Sequence, residues 1–229
     1  MRVFCINLKE RADRRLRMEA LFHKYGVEDW EFVEASNRTT PQVVEANKRF
    51  PVFDLPYLAC SDSHARVWAL IAELDAPYAL VLEDDVFFHK EWRKLVRESI
   101  EALPSDWELF MLDCFYLQGW DWTSEGNCGR VGIHPAQSCS FADAYVITPS
   151  ACQWLLERQK AALEEGEWLN NETLLMELQD REKSFTFIPK LALQHFDESD
   201  IQESQLIQSM DSFYRTSYFP KYPRDLYDD

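Results

Sequence analysis

Residues 78–85 read Tyr78-Ala79-Leu80-Val81-Leu82-Glu83-Asp84-Asp85, an apolar run followed at once by three carboxylates. A near-continuous apolar run is typical of a central strand that is covered on both faces, whereas a half-exposed strand alternates polar and apolar residues. The carboxylates come at the C-terminal end of this predicted strand. Open α/β sheets bind their ligands at that end of their strands, so the stretch indicates both a fold class and a site.

Predicted strands and helices alternate on both sides of this run. Residues 3–8 predict a strand, and apolar residues at helical spacing between Met18 and Tyr25 predict a helix that Gly26 ends. Residues 36–57 and 117–140 are expected to be loops, because the first is rich in Pro, Asn and Thr and the second in Trp, Gly and Ser. We expect further strands at 30–33, 109–112, 144–148 and 184–188, and further helices from a cap at Ser61 to 71, at 90–102, at 150–163 and at 169–180. The alternation predicts an α/β fold of mainly parallel sheet with helices on both faces.

The composition limits the class of protein. The 229 residues suit a single domain spanning 1–229, with residues 196–229 as a C-terminal extension. A net charge of −16 disfavours nucleic acid and anionic membranes as partners, and leaves the oligomeric state open. No apolar run approaches the roughly 20 residues of a membrane span. The N-terminal residues turn polar too early for a signal peptide, so a cytoplasmic location is expected, or a luminal one if the chain is trimmed.

The chain contains six cysteines, and none of them forms a C-x-x-C pair. Several lie within apolar runs, where a cysteine behaves as a small hydrophobic residue. We therefore expect reduced thiols in the core rather than disulfides or a zinc site. The residues concerned are Cys5, Cys60, Cys114, Cys128, Cys139 and Cys152.

Three adjacent carboxylates are costly unless a positive group binds them. Side chains two residues apart in an extended chain point to the same side, so Glu83 and Asp85 are expected to converge on one cation while Asp84 faces away. Carboxylate oxygens suit Mg²⁺ or Mn²⁺, and such an ion would neutralise the departing diphosphate of a nucleotide-sugar. The alternative interpretation is an acidic helix cap.

Four separated segments form an ordered set between about residues 3 and 201. They are Ile6-Asn7-Leu8 with Arg11, Arg14 and Arg15; Cys60-Ser61-Asp62-Ser63-His64 with Trp68; Ala79 to Val86; and Ala144-Tyr145-Val146-Ile147, followed later by Gln194 and Ser199-Asp200-Ile201. In this order they resemble glycosyltransferase family 25, which includes bacterial lipo-oligosaccharide galactosyltransferases and collagen galactosyltransferases. No single segment is specific, but the ordered set is.

The resemblance implies a GT-A fold, a UDP-sugar donor, a divalent metal, and inverting transfer of a hexose to a hydroxyl group on a glycan or on a glycosylated protein or lipid. It implies that Ser63 and His64 lie at a helix N-terminus near the donor, although a hydrogen-bonded core histidine is the alternative for His64. It also implies His195 as a third metal ligand, in competition with Gln194. The residues that it places around the donor are Asn7, Leu8, Arg11, Arg14, Ser63, His64 and Asp84.

An inverting transfer needs a carboxylate base to accept the proton of the acceptor hydroxyl. The sequence departs here from the aspartate that the resemblance implies, and Glu172 is the carboxylate nearest to that position. Asp143 and Asp113 are the alternatives. Trp120 and Trp122 lie in the predicted loop 117–140 and are candidates for an acceptor platform, because aromatic rings stack on sugar faces; packing on the core is the other interpretation.

Two other functions compete with a transferase. A family member without activity would act as a binding or adhesion module, which the altered base region favours and the intact acidic run disfavours. A metal-dependent phosphatase of the haloacid-dehalogenase type is disfavoured, because its nucleophile is an aspartate at the position that Glu83 occupies.

Overall fold

The computed structural model describes residues 1–116, 131–194 and 226–227. Helices α1 to α6 span Ala12–Tyr25, Pro41–Arg49, Leu55–Ala72, Trp92–Ala102, Pro149–Glu165 and Asn171–Gln179. Strands β1 to β11 span Arg2–Asn7, Trp30–Glu34, Ala79–Glu83, Val86–Phe88, Leu109–Met111, Phe115–Tyr116, Gly132–Pro135, Cys139–Ser140, Ala144–Ile147, Ser184–Ile188 and Ala192–Gln194.

Seven strands form one sheet in the order β2-β1-β3-β9-β5-β10-β7. Five of them, β1, β2, β3, β5 and β10, run in one direction, while β9 and β7 run against their neighbours. The predicted α/β fold with a mainly parallel sheet is therefore confirmed. Strand β9 lies in the middle of the sheet, hydrogen-bonded to β3 and β5, although its direction is opposite to theirs.

Strand β3 divides the core into two layers. Ala79 and Val81 face a cluster shared with α3, α5 and α6, whereas Leu80 and Leu82 face a second cluster shared with α1 and α4. All four side chains are fully buried. Burial on both faces explains why this strand has an unbroken apolar sequence, and it confirms the prediction of helices on both sides.

The predicted loop 36–57 is wrong over much of its length. It contains α2, and α3 begins at Leu55 after Asp54, so Ser61 lies in the second turn of α3 rather than at its cap. The prediction was wrong because it treated the prolines as loop residues. A proline within the first turn removes only an N–H group that has no partner inside the helix, and each of these two helices has a proline there.

The alternative interpretation of the acidic run as a helix cap is wrong, because Val86–Phe88 forms β4, which pairs antiparallel with β11. The expectation of reduced thiols is wrong for two of the cysteines. Cys114 and Cys139 form a disulfide bond, whereas Cys5, Cys60 and Cys152 are free thiols as expected. The two bonded cysteines are 25 residues apart in sequence, and the antiparallel pairing of β6 with β8 brings them together rather than any local motif.

Among the described residues, no helix is both long enough and apolar enough to cross a membrane.

Candidate functional site

A cavity of about 480 Å³ opens beyond the C-terminal ends of β1 and β3. These neighbouring strands are parallel, so the chain leaves the sheet at the same edge after each of them. Ligands are expected at this edge in an α/β sheet, and the acidic run lies there as predicted. The lining residues are Ile6, Leu8, Glu10, Arg14, Ala35, Ser36, Asn37, Arg38, Thr39, Pro56, Ala59, Cys60, Ser63, His64, Glu83, Asp84, Asp85 and Gln194.

Arg14 binds two consecutive carboxylates of the acidic run. Its Nη1 lies 2.8 Å from Oδ1 of Asp84 and 3.1 Å from Oδ2 of Asp85. The expectation that Asp84 faces away from Asp85 is wrong, because β3 ends at Glu83 and the two aspartates form a turn rather than extended chain. Arg14 thus contacts both aspartates, whereas Glu83 contacts His64 instead.

Asp84 is held on several sides. Nδ2 of Asn7 donates a hydrogen bond of 2.6 Å to Oδ2 of Asp84, and Nη2 of Arg17 donates one of 2.8 Å to its carbonyl oxygen. Burial raises the pKa of Asp84, an effect that the charge of Arg14 opposes. Asn7 also donates to the carbonyl oxygen of Arg11 at 3.2 Å, so it fixes the β1–α1 turn against the acidic turn.

Asp85 has one carboxylate oxygen without a hydrogen-bond partner among the described residues. Its Oδ1 is buried and unpaired, while its Oδ2 contacts Arg14 and lies 3.5 Å from Nε2 of Gln194. Burial, and then the negative charge of Glu83, raise the pKa of Asp85 to about 7. A buried, unpaired carboxylate oxygen beside a cavity is suited to a hard cation such as Mg²⁺ or Mn²⁺.

Glu83 contacts α3 instead of the aspartates. Its Oε1 lies 3.2 Å from Nε2 of His64 and accepts a weak hydrogen bond of 3.8 Å from Sγ of Cys60. The other ring nitrogen of His64 lies 2.8 Å from the hydroxyl of Tyr145, to which Nε1 of Trp68 donates at 2.8 Å. His64 is thus a hydrogen-bonded buried histidine that also lines the cavity.

Ser63 and His64 lie in the third turn of α3, so the expectation of a helix N-terminus is wrong. Oγ of Ser63 donates to the carbonyl oxygen of Ala59 at 2.7 Å and accepts from the backbone N–H of Ser36 at 2.9 Å. Ser63 therefore positions the segment after β2 on the cavity wall. The side chain of Arg11 pairs with Asp13 at 2.9 Å, and Arg11 is not among the residues that line the cavity.

The three candidate bases are near the site without lining the cavity. Oε1 of Glu172 accepts from the backbone N–H of Phe141 at 3.3 Å, and burial raises the pKa of Glu172. Asp143 is buried, and both of its carboxylate oxygens lack a hydrogen-bond partner in the described part of the chain. Burial, and then the charge of Asp113, raise the pKa of Asp143. Asp113 itself forms a buried ion pair with Lys190.

Three predicted site residues, His195, Trp120 and Trp122, lie outside the described residues. The sequence interpretation missed other contributors, among them Cys60, the segment 36–39, and Tyr145 as a partner of His64. Cys60 had a signal, because it stands four residues before His64 on a helix, where both side chains share one face. Tyr145 had no such signal, because it is 81 residues from His64 in sequence and contacts it only in the folded protein.

Comparison with known proteins gives one matching family. Residues 1–127, more than half of the 229-residue chain, match the family described as glycosyltransferase family 25 (LPS biosynthesis protein). A glycosyltransferase 25 family member of Drosophila melanogaster is 33% identical over 105 residues, which cover 41% of this chain and 17% of that protein. Procollagen galactosyltransferase 2 of Mus musculus is 34% identical over 125 residues, which cover 48% of this chain and 20% of that protein. The chain thus spans about a fifth of the length of these curated relatives.

Solved structures show more distant similarity. A glycosyltransferase involved in glycosylation of the major capsid of PBCV-1 aligns with a TM-score of 0.37 and 9% identity, covering 92% of this chain and 98% of that one. A putative glucose-1-phosphate thymidylyltransferase of Bacillus anthracis aligns with a TM-score of 0.43 and 11% identity, covering 83% of this chain and 69% of that one.

Proposed function

This chain belongs to glycosyltransferase family 25, and on that premise we propose that it is a metal-dependent, inverting hexosyltransferase of the GT-A type. It takes galactose or glucose from a UDP-sugar and transfers it to a hydroxyl group on a glycan, or on a glycosylated protein or lipid. The single observation that carries the proposal is the buried, unpaired Oδ1 of Asp85 beside the cavity that Glu83 and Asp84 also line.

The donor would lie along the β1–α1 turn and the acidic turn. Leu8 and Arg14 line the cavity from one side and Asp84 from the other, while Asn7 links the two turns by its hydrogen bond to Asp84. The chain carries a net charge of −16, so a diphosphate needs local positive charge to bind here. Arg14 supplies one such charge, and a divalent cation would supply the rest.

Asp85 and Glu83 would hold Mn²⁺ or Mg²⁺, because both residues line the cavity and both have carboxylate oxygens. The ion would stabilise the negative charge that develops on the departing UDP. Arg14 fixes one oxygen of Asp85 and leaves the other directed away from that ion pair. His195 stays a proposed third ligand.

The acceptor hydroxyl would give its proton to Glu172, with Asp143 and Asp113 as the alternatives. Burial raises the pKa of Glu172 and of Asp143, which makes either carboxylate a stronger base than an exposed one. The segment with Trp120 and Trp122 is proposed to contact the acceptor.

Calorimetric titration with UDP tests the donor site. We expect clear binding of UDP in Mn²⁺ and little in chelator, because the carboxylates repel the diphosphate when no cation is bound. Asp85→Asn should abolish the Mn²⁺-dependent binding, whereas Asp106→Asn, a change at a side chain that is 68% exposed, should leave it unchanged. Equal affinity for UDP in Mn²⁺ and in chelator would rule out this site.

A binding or adhesion module without transferase activity is the second candidate, because none of the candidate bases lines the cavity. Release of UDP from UDP-galactose or UDP-glucose separates the two functions. A transferase releases UDP in a metal-dependent manner when acceptor is supplied, whereas a binding module releases none.

A further inference from the structure

We propose that Cys60, His64 and Glu83 form a second cation site that binds Zn²⁺ or a divalent ion of similar softness. The three ligand atoms, Sγ, Nε2 and a carboxylate oxygen, all lie within 4.8 Å of one another. This set is distinct from the aspartate pair of the acidic turn, whose contacts are with Arg14. Binding of the ion does not depend on transferase activity.

Two secondary-structure elements bring the three ligands together. Cys60 and His64 are four residues apart on α3, so their side chains lie on one face of the helix. Glu83 is the last residue of β3 and points at that face. Both elements are well packed, because α3 and β3 contribute to the same buried cluster.

Two of the three distances between the ligand atoms are close to those of a tetrahedral zinc site. Typical Zn–N, Zn–O and Zn–S bond lengths imply about 3.3 Å between nitrogen and oxygen, and about 3.5 Å between sulfur and oxygen, around one ion. The structure has 3.2 Å between Nε2 of His64 and Oε1 of Glu83, and 3.8 Å between Sγ of Cys60 and the same oxygen. For these two pairs an ion requires shifts of only a few tenths of an ångström, and all three ligand atoms lie within 4.8 Å of one another.

Neighbouring residues hold the ligands in orientations that suit a metal. Nδ1 of His64 lies 2.8 Å from the hydroxyl of Tyr145, so the Nε2 atom is the one left for an ion. Nδ2 of Asn171 donates to Sγ of Cys60 at 3.7 Å, while burial, and then the charge of Glu83, raise the pKa of the Cys60 thiol, so an ion must displace its proton. Trp68 donates to the same Tyr145 oxygen and fixes the tyrosine in place.

The chemistry of the ligands selects the ion. Thiolate and imidazole ligands favour Zn²⁺ and disfavour Mg²⁺, which prefers oxygen ligands only. Because all three residues line the cavity, the fourth position faces the space that a ligand would enter. If the proposed transferase function is correct, Zn²⁺ here withdraws Glu83 from the donor metal and inhibits transfer.

Titration with Co²⁺ tests the site, because cobalt replaces zinc and its bond to a thiolate gives a charge-transfer band in the near ultraviolet. We expect the wild-type protein to show this band at one equivalent of Co²⁺, and Zn²⁺ to remove it. Cys60→Ser should lose the band. Cys152→Ala, a change at a buried free cysteine on α5, should keep it.

Each outcome decides the proposal. A wild-type protein without the band overturns it, and so does a band that persists in Cys60→Ser after circular dichroism has shown a native fold. His64→Gln provides a second variant, in which the affinity for Co²⁺ should fall at least tenfold; unchanged affinity counts against the site. Asp85→Asn should keep the cobalt band while losing Mn²⁺-dependent binding of UDP, which separates failure of this site from failure of the proposed function.

Discussion

At the scale of single residues, Arg14 and Asp85 determine the charge balance of the acidic turn. Asp84 and Asp85 are both buried, and among the described residues the Arg14 guanidinium alone lies in direct ion-pair contact with both. Taking two carboxylates out of water is unfavourable unless a positive charge is near. The stability of the cation-free protein therefore depends on Arg14, and a bound cation would share that role.

Arg14→Gln should destabilise the protein by about 3 kcal/mol in chelator, because it leaves buried carboxylates without their cation. Saturating Mn²⁺ should recover part of this loss, since the ion supplies positive charge at the same turn. Urea denaturation in chelator and in Mn²⁺ measures both effects.

Arg15→Gln is the matched control for this change. Arg15 is half exposed and pairs with Glu19 on the helix surface, so its loss should cost less than about 1 kcal/mol with or without Mn²⁺. Equal destabilisation by the two variants would show that Arg14 has no special role.

The raised pKa of Asp85 predicts a specific dependence of stability on pH. Burial, and next Glu83, raise this pKa from 3.8 to about 7 in the folded protein. Between these two pH values the folded protein keeps a proton that the unfolded chain releases, so the Asp85 contribution to stability is present at low pH and is lost as pH rises through about 7. Asp85→Asn should make this decline shallower without abolishing it, because the pKa values of Asp84, Asp143 and Glu172 are raised as well. Urea denaturation in chelator across the same pH range will measure the difference.

Metal binding should follow the opposite trend. Mn²⁺ needs Asp85 in its ionised form, so the affinity for Mn²⁺ should rise as pH increases through about 7. Calorimetry at several pH values measures this directly. A flat pH profile would place the ion elsewhere.

At the scale of elements, helix α3 contributes more to the site than any other helix in the described part of the chain. Residues from its second and third turns face the cavity, and Trp68, one turn further, packs beneath them and supports Tyr145. Helix α1 contributes Arg14 and must therefore be held at a fixed angle to the acidic turn. Its C-terminal end is fixed by Gly26, which adopts a left-handed conformation with φ of 61°.

Gly26→Ala should destabilise the protein by about 1–2 kcal/mol. An alanine in the left-handed region costs about 1 kcal/mol. Its Cβ would also stand 2.4 Å from Nη1 of Arg93, which must move and give up its hydrogen bond to the carbonyl oxygen of Tyr25. Thermal unfolding followed by circular dichroism measures the change.

Gly166→Ala measures the cost of placing an alanine in the left-handed backbone conformation without any side-chain clash. Gly166 ends α5 with φ of 84°, and a Cβ there meets no atom within 4 Å. We expect a loss of about 1 kcal/mol. If Gly26→Ala costs no more than Gly166→Ala, the contact with Arg93 is not significant.

At the scale of the whole molecule, the site joins segments that are far apart in sequence. The β1–α1 turn, the middle of α3, the end of β3 and the C-terminal end of β11 all reach one cavity. Glu172 and Asp143 approach the same region from α6 and from the residue before β9. Identifying the base therefore requires kinetics of the complete, folded chain.

Glu172→Gln should lower kcat by roughly 10²- to 10⁴-fold, the usual contribution of a positioned base, and leave the Kd for UDP nearly unchanged. The reason is that a base acts only in the transfer step. Steady-state kinetics with UDP-galactose or UDP-glucose, together with calorimetry, separate the two quantities.

Asp143→Asn is the comparison variant. The backbone carbonyl of Asp143 accepts a hydrogen bond of 2.8 Å from the N–H of Glu83, and this bond is retained when only the side chain changes. If Asp143→Asn lowers kcat while Glu172→Gln transfers sugar at the wild-type rate, the base is Asp143.

The order of the main elements was predictable, because a partly buried strand or helix has a periodic pattern of apolar residues in its own sequence. The apolar run 78–82 predicted β3, and the spacing from Met18 to Tyr25 predicted α1. Helix α2 was missed because its proline was interpreted as a breaker, although it lies in the first turn. The location of the acidic run at the sheet edge was predictable too, since it follows directly from the end of β3.

The sequence alone therefore determined the α/β class, the position of the acidic run and, through an ordered set of short motifs, the family. Only the tertiary structure decided which side chains meet. Arg14 and Asp84 are 70 residues apart, His64 and Tyr145 are 81 apart, and the partner of Glu83 is an α3 histidine instead of a neighbouring aspartate. Such contacts depend on strand order and on turn geometry. The local periodicity of a sequence indicates only whether a side chain is buried, so it predicts neither of them.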